Sequence, residues 1–188
     1  MGLYQQIKEY RTYNEQEERD KKMMLRFIEQ NKDYLERTNE IAHFSASLWV
    51  VNPIGTKVLM VYHNIYRAWS WIGGHADGEE DLKKVAMREL TEETGVKHAR
   101  LALEKIFSLE SLTVDGHEKR GIYVPSHLHF NITYLAVAEE EEELIVKPDE
   151  NSGVRWFETE AALAECSEEW MVKRVYRKLV EKSRGVIK

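Results

Sequence analysis

The stretch GHADGEEDLKKVAMRELTEETGV, from Gly74 to Val96, decides the fold of this chain. It holds a glycine, a spaced glutamate, an Arg-Glu pair and a Glu-Glu pair at set intervals, and it ends on a glycine and an apolar residue. Glutamates on a helix usually form a solvated face, but so many specified positions rarely coincide by chance. The positions that define the pattern are Gly74, Glu80, Arg88, Glu89, Leu90, Glu92, Glu93, Gly95 and Val96.

The centre of this stretch predicts a helix that presents three carboxylates. Residues 79–94 contain no proline or glycine, and apolar side chains recur at helical spacing until a glycine supplies a C-terminal stop. Glu89, Glu92 and Glu93 stand at i, i+3 and i+4, so they share one face. Carboxylates this close repel unless a hard divalent cation lies between them, which indicates Mg²⁺, with Mn²⁺ as a substitute. We expect Arg88 to brace them through charge-assisted hydrogen bonds.

The spacing of the whole stretch resembles the signature of the Nudix hydrolases, and every fixed position is met. The resemblance extends over about residues 42–160. It implies an α/β/α sandwich built on a mixed β-sheet. It also implies an enzyme that uses Mg²⁺ and an activated water to cleave a diphosphate linkage in a nucleoside diphosphate derivative. The expected partner is therefore a small nucleotide-type diphosphate.

Carried over residue by residue, the family's metal ligands fall on the carbonyl of Gly73 and on Glu89, Glu92 and Glu93. Bound metal would neutralise charge on the diphosphate and lower the pKa of a water molecule. The resemblance places the base that takes the proton of that water either on Glu89 or on Glu150, for which an ordinary solvated turn is the alternative. The expected catalytic residues are Glu89, Glu93, Arg88, Glu92 and Glu150.

Composition indicates one enzyme domain with a short appendage. The chain has 188 residues, 43% of them hydrophobic, which is enough to fill one core. No apolar run is long enough to span a membrane and the N-terminus lacks a secretion signal, so we expect a cytoplasmic protein. The net charge of −6 argues against broad nucleic-acid binding. The single cysteine, Cys166, is expected to be a semi-buried apolar residue.

Periodicity divides the chain into an N-terminal helical extension, residues 1–40, and a Nudix hydrolase domain, residues 41–188. The extension could cover the sheet, line the substrate cleft or make a homodimer contact. The order of strands and helices predicts an α/β (α+β) fold, with helices on both faces of a mixed sheet. Strands are predicted at 45–51, 57–63, 68–72, 99–108, 110–114, 128–138 and 154–157, and helices near 2–10 and at 13–37, 79–94, 159–165 and 168–182.

Residues outside the signature are weaker candidates for substrate binding. His127 and His129 alternate along a strand and so point to one face, where they could contact phosphate, bind a metal, act in acid–base chemistry or simply be hydrogen-bonded. Aromatic residues just before the signature could stack on a base or pack in the core. They are Tyr66, Trp69 and Trp71, and Glu110 and Tyr123 are weaker candidates for shaping the pocket.

Two charged segments are expected to be solvated. The acidic run of residues 139–143 predicts an exposed hairpin end between strands. The C-terminal helix is basic, which complements its dipole, and we expect a solvated helix in preference to a phosphate-binding patch. Its basic residues are Lys173, Arg174, Arg177, Lys178, Lys182, Arg184 and Lys188.

Two other functions compete with hydrolysis. An isopentenyl-diphosphate isomerase would share the fold but depends on an active-site cysteine, and Cys166 lies far beyond the signature. A non-catalytic module that binds a nucleotide or ADP-ribose usually has a damaged signature, whereas the acids here are intact. Hydrolysis is therefore the expectation.

Overall fold

The computed structural model describes residues 1–119 and 121–187. These residues form an eight-stranded mixed sheet, a separate two-stranded hairpin and helices on both sides of the sheet. The strands are β1 (Ala42–Val51), β2 (Lys57–His63), β3 (Ala68–Ser70), β4 (Ile72–His75), β5 (Arg100–Leu101), β6 (Ser108–Val114), β7 (His117–Lys119), β8 (Ile122–Val124), β9 (His127–Val137) and β10 (Asn151–Glu158). The helices are α1 (Leu3–Glu9), α2 (Glu15–Gln30), α3 (Leu82–Thr94), α4 (Thr159–Glu165), α5 (Glu169–Met171) and α6 (Arg177–Arg184), with a π-helical segment, Val172–Tyr176, joining α5 to α6.

Strand β1 is the centre of the sheet. It pairs in parallel with β9 and antiparallel with β2 and β4. Strands β3 and β10 extend the sheet beyond β2, while β5 and β6 pair antiparallel with β9. The pairing of β1 with both β4 and β9 brings three distant parts of the chain to one end of the sheet.

The two faces of the sheet carry separate hydrophobic cores, because side chains alternate along each strand. On β1, Phe44, Ala46 and Leu48 join the core beneath α1, α2 and α3. Trp49 and Val51 join the second core, beneath α4 and the C-terminal helical segments. This arrangement confirms the predicted mixed sheet with helices on both faces and with N-terminal helices.

Helix α3 begins and ends where local capping chemistry dictates. The side chain of Asp81 accepts a hydrogen bond from the backbone N–H of Lys84 at 3.4 Å, so the helix begins at Leu82 rather than at the predicted residue 79. It ends at Gly95, whose φ of +78° suits glycine and confirms the predicted stop.

The N-terminal helices pack on the same core as α3 and cover one edge of the sheet. Leu3, Ile7 and Met24 are all buried in that core. A carboxylate oxygen of Asp20 accepts the backbone N–H of Ser111 on β6 at 3.2 Å, which satisfies a donor that an edge strand would otherwise leave open. The extension therefore seals the sheet edge.

The predicted helix over 13–37 is too long. Helix α2 ends at Gln30, because Asn31 has an extended backbone and its side-chain amide donates to the Phe27 carbonyl at 2.9 Å. Such side-chain bonds compete with helix continuation. At the other end Asn14 caps the helix, accepting the N–H of Glu17 at 3.0 Å.

Two strand predictions are wrong in detail, and one hairpin is missing from the prediction. The predicted strand at 99–108 is interrupted between β5 and β6, where the side chains of Ile106 and Phe107 are buried in the two hydrophobic cores. The predicted strand at 68–72 divides at Trp71 into β3, which pairs with β2, and β4, which pairs with β1. The hairpin of β7 and β8 was not predicted.

The prediction of a solvated C-terminal helix is wrong at two lysines. The Nζ of Lys178 lies 2.9 Å from Glu17 Oε1 and 2.9 Å from Glu110 Oε1, and the side chain is 4% exposed. The Nζ of Lys182 lies 3.2 Å from Glu17 Oε1. The helix faces inward here because α2 and β6 supply buried carboxylates. Lys188 lies outside the described residues.

The acidic run of residues 139–143 is also less solvated than predicted. A carboxylate oxygen of Glu140 is 2.5 Å from Lys57 Nζ, and Glu142 accepts backbone N–H groups of Lys97 and His98. No helix within residues 1–119 and 121–187 has the length and apolar content needed to cross a bilayer.

Candidate metal and catalytic site

Strand β4, which leads into the signature, requires glycine at two successive positions. A Cβ on Gly74 would lie 2.5 Å from Glu89 Cδ, and a Cβ on Gly73 would lie 2.5 Å from the Ala46 carbonyl oxygen. Both distances are far below van der Waals contact. The missing side chains let the carboxylate of Glu89 approach the backbone of β4.

Three carboxylates converge beside these two glycines of β4. Glu89 and Glu93 stand one turn apart on α3, and Glu150 reaches them from the loop before β10. One oxygen from each lies within 4.8 Å of the other two. Glu93 also accepts the backbone N–H of Gly73 at 3.3 Å. The structure therefore brings Gly73, Glu89, Glu93 and Glu150 together.

Burial makes it costly to keep these carboxylates ionised without a bound cation. Burial raises the pKa of Glu93 to about 8, with the charges of Glu89 and Glu150 adding to the effect. Burial likewise raises the pKa of Glu89, against the opposing pull of the Arg88 guanidinium. A divalent cation among these oxygens would favour the ionised forms and remove the repulsion.

Two cations flank the cluster. Arg88 donates from Nη2 to Glu89 Oε1 at 3.0 Å, and its Nε lies 3.8 Å from Glu92 Oε1. Lys147 Nζ lies 3.3 Å from Glu92 Oε2 and 3.0 Å from Glu150 Oε2. Glu92 is therefore an exposed, ion-paired neighbour of the three converging carboxylates rather than one of them.

Asn151 is a positioning residue that sequence reasoning missed. Its buried side chain donates from Nδ2 to the Glu93 carbonyl at 3.0 Å and accepts the Lys147 N–H at 3.3 Å. These bonds tie the loop that carries Glu150 to the end of α3. The sequence offered one signal, since Asn151 directly follows Glu150 in a polar loop before a strand.

The predicted pair of histidines belongs to a larger group on the opposite face of β4. His127 and His129 share a face of β9, and they meet His43 of β1 and His75 of β4. Side chains alternate along β4, so His75 points away from the face on which Gly74 faces Glu89. The histidines and the carboxylates are therefore separate clusters.

The other substrate-binding candidates are scattered. Trp69 packs edge-on against Phe157 at 4.8 Å between ring centres, and Trp71 against Tyr176 at 5.7 Å. Tyr66 stays half exposed in the turn between β2 and β3. Glu110 is fully buried in the ionic network of Lys178, and Tyr123 is exposed on β8.

A family model identifies the chain. The model of the NUDIX domain matches residues 41–179. The chain belongs to the Nudix hydrolase family. No curated protein matches the chain.

Solved Nudix structures share the fold. The Ap4A hydrolase of C. elegans, in a binary complex, has a TM-score of 0.55 at 20% identity, covering 76% of this chain and 95% of that chain. The E. coli dihydroneopterin triphosphate pyrophosphohydrolase has a TM-score of 0.53 at 15% identity, covering 73% and 94%. RenU, a Nudix hydrolase of M. smegmatis, has a TM-score of 0.52 at 16% identity, covering 77% and 87%. At these identities the likeness shows the fold.

The carboxylate cluster of this Nudix chain suits the divalent metals that the family generally uses. Its donors are three carboxylate oxygens, which are ligands that hard cations such as Mg²⁺ prefer. Cys166, by contrast, is buried in the second core, 7% exposed, as expected for an apolar packing residue. It offers no active-site thiol for isomerase chemistry.

Proposed function

We propose that this Nudix hydrolase cleaves a diphosphate linkage in a nucleoside diphosphate derivative by attack of water, with Mg²⁺ as cofactor. The observation that carries the proposal is the cluster of Glu89, Glu93 and Glu150, whose oxygens lie within 4.8 Å of one another. The cluster lies beside the two glycines of β4, Gly73 and Gly74. It belongs to a signature in which every specified residue is present.

The metal would be held by Glu89, Glu93 and the carbonyl of Gly73. Glu92 would be the fourth protein group around it. Glu92 stands on the exposed side of α3, which suits contact with a metal-bound water because Mg²⁺ usually keeps several waters. When bound, the metal supplies neutralisation of phosphate charge and a water of lowered pKa. Arg88 holds Glu89 in position through its hydrogen bond at 3.0 Å.

We assign the proton acceptor to Glu150. Its side chain is 43% exposed, whereas that of Glu89 is 11% exposed, so Glu150 is the cluster member that solvent and an incoming water can reach. Lys147 Nζ lies 3.0 Å from Glu150 Oε2, an ion pair that holds this carboxylate at the edge of the cluster. The two bonds of Asn151 hold this loop against α3, which keeps the acceptor close to the metal ligands.

The nucleoside end of the substrate would lie toward the turn between β2 and β3. Tyr66 is 48% exposed there, and its ring lies 4.5 Å from that of His63. An aromatic ring with one free face can stack on a base. Trp69 flanks the same region from β3, where its packing against Phe157 would hold the wall of the pocket.

The test is product release from a panel of substrates with Mg²⁺. The panel contains sugar nucleotides, ADP-ribose-like diphosphates, oxidised nucleoside triphosphates and dinucleoside polyphosphates. Wild type is compared with Glu93→Gln and with Glu104→Gln, a matched control whose exposed carboxylate pairs with Lys83 at 3.0 Å. We expect Glu93→Gln to lower kcat/KM by about a hundredfold or more, since it removes one charge from the metal site, and Glu104→Gln to leave it unchanged.

The variants also separate the roles of Glu93 and Glu150. Glu150→Gln should lower kcat while leaving the Mg²⁺ concentration for half-maximal activity nearly unchanged, because a base is lost rather than a ligand. Near-wild-type turnover by Glu93→Gln would contradict the assigned site. Tight binding of one panel member without cleavage by wild type would favour a nucleotide-binding module instead.

A further inference from the structure

Four histidines meet at one end of the sheet, on the face opposite the carboxylate cluster. His43 on β1 pairs in register with His129 on β9, and Ser45 of β1 pairs with His75 of β4. Alternation then places the side chains of His43, His75 and His129 on one face, where His127 joins them from two residues before His129. The signature and the proposed hydrolysis use none of these imidazoles.

The ring nitrogens of these histidines converge on a common point. His75 Nε2 lies 3.2 Å from His129 Nε2, and His127 Nε2 lies 3.1 Å from the same atom. One ring nitrogen each from His43, His75 and His129 lies within 4.8 Å of the other two. Four nitrogens around a Zn²⁺ ion at about 2.0–2.1 Å stand about 3.3 Å apart, so the two short separations already match a metal centre.

The most buried member of the group has a polar atom aimed into it. His43 is 3% exposed, and its Nε2 has no hydrogen-bond partner among the described residues. Its Nδ1 lies 3.1 Å from the Asn39 carbonyl oxygen. A carbonyl can only accept, so Nδ1 carries the proton and Nε2 presents a bare lone pair. Burying a polar atom without a partner is costly, and a bound cation would satisfy it.

A backbone carbonyl also fixes the position of the ring proton of His127. Its Nδ1 lies 2.8 Å from the Pro125 carbonyl oxygen, so its Nε2 is also an acceptor in the neutral ring. His129 Nε2 carries at most one proton, yet it faces Nε2 of both His75 and His127 at hydrogen-bond distance. In metal-binding histidines, one ring nitrogen usually donates its proton to a group such as a backbone carbonyl, and the other nitrogen coordinates the metal.

We propose that His43, His75 and His129 bind a divalent transition-metal ion, Zn²⁺ by preference, at a site separate from the Mg²⁺ site. Imidazole nitrogens suit Zn²⁺, whereas Mg²⁺ prefers oxygen. His127 lies beside the fourth position, which water or its own Nε2 fills. Arg37 and Asp77, whose charges act on His43 in opposite directions, form an ion pair at 2.6 Å.

The metal would fasten the end of the sheet. Its three ligands come from β1, β4 and β9, strands that are far apart in sequence. The backbone carbonyls of Asn39 and Pro125, in neighbouring turns, hold the rings of His43 and His127. Binding to the folded state alone would raise the melting temperature. His75 directly follows Gly74, so the same ion would also steady β4, the strand that contains Gly73 and Gly74.

The test uses the full chain without a histidine tag, treated with chelator and then dialysed against Zn²⁺ in the presence of excess Mg²⁺. Metal content and the Zn²⁺ dissociation constant, from competition with a chromogenic chelator, are measured for wild type, His129→Asn and His75→Gln. His98→Gln is the matched control, because that side chain is 82% exposed and lies beside Glu142 rather than in the cluster. Circular dichroism checks that each variant folds.

We expect wild type and His98→Gln to retain about one Zn²⁺ per chain and to gain thermal stability from it. His129→Asn and His75→Gln should bind Zn²⁺ more than about a hundredfold more weakly, the upper end of what even a supporting residue costs. Glu93→Gln should bind Zn²⁺ like wild type, which separates this site from the hydrolytic one. Equal Zn²⁺ affinity in wild type and folded His129→Asn, or stabilisation of wild type by inorganic phosphate but not by Zn²⁺, would overturn the proposal.

Discussion

The replacement of Lys178 by methionine should destabilise the protein strongly, although this lysine lies in the basic helix that the sequence suggests is solvated. The side chain is 4% exposed and contacts two carboxylates that are themselves fully buried. Methionine fills a similar volume but leaves Glu17 and Glu110 with one fewer cation. The remaining one, Lys182, lies 3.2 Å from Glu17.

The expected magnitude follows from the burial of the network. Loss of one partner from a buried ion pair costs about 3–5 kcal/mol, because the other charge stays desolvated. Glu110 keeps hydrogen bonds from Ser108 and Thr133, and Glu17 keeps those from Tyr10 and the Tyr13 N–H, which places the expected loss near 4 kcal/mol. For a chain of this size, that corresponds to a fall in melting temperature of about 8–16 °C.

The assay is urea unfolding followed by circular dichroism, with Arg177→Met as the control. Arg177 is the preceding residue on α6 and is exposed, so its loss removes the same charge and should change the free energy of unfolding by no more than about 0.5 kcal/mol. Adding Glu110→Gln to Lys178→Met should recover part of the stability by removing one stranded charge. The reasoning is refuted if Lys178→Met and Arg177→Met unfold at the same urea concentration.

Three further predictions concern pH and the metal site. Burial alone would raise the pKa of Glu17, but Lys178 and Lys182 hold it below its ordinary value of 4.5. The stabilisation from this network is therefore complete above that pH and is lost as acid protonates Glu17. In urea titrations from neutral pH downward, the difference in unfolding free energy between wild type and Lys178→Met should shrink. Because the pKa of Glu93 is about 8, Mg²⁺ binding near pH 7 should release close to one proton, and binding above about pH 9 almost none. Calorimetry in buffers of different ionisation enthalpy measures this release, and equal proton release at both pH values would contradict the prediction. Gly74→Ala should weaken Mg²⁺ binding by about tenfold or more, because its Cβ would meet Glu89 Cδ at 2.5 Å; unchanged Mg²⁺ dependence of turnover would disprove that contact.

The features that sequence predicts well are those set by neighbouring residues. Helix α3, its stop at Gly95 and the face shared by Glu89 and Glu93 follow from helical spacing and a glycine's freedom at positive φ. Strand β2, between a turn and a polar segment, is found at its predicted bounds. Each of these depends on interactions within a few residues.

The features that sequence misses depend on contacts between distant segments. Lys178 looks like a surface residue in its own helix, and its burial follows from Glu17, more than a hundred and fifty residues earlier in the chain. The histidine cluster forms because β1 and β9 pair in parallel, which puts His43 beside His129. Helical or strand periodicity contains no information about such pairing.

Anomalous diffraction from crystals grown with Mn²⁺ would show directly whether Glu89 and Glu93 hold a divalent metal beside Glu150. We expect a Mn²⁺ peak among the carboxylate oxygens of Glu89 and Glu93, beside the carbonyl of Gly73 and within reach of Glu150. The peak should be absent from crystals of Glu93→Gln grown in the same way. A Mn²⁺ peak elsewhere in wild type, with these carboxylates bare, would contradict it.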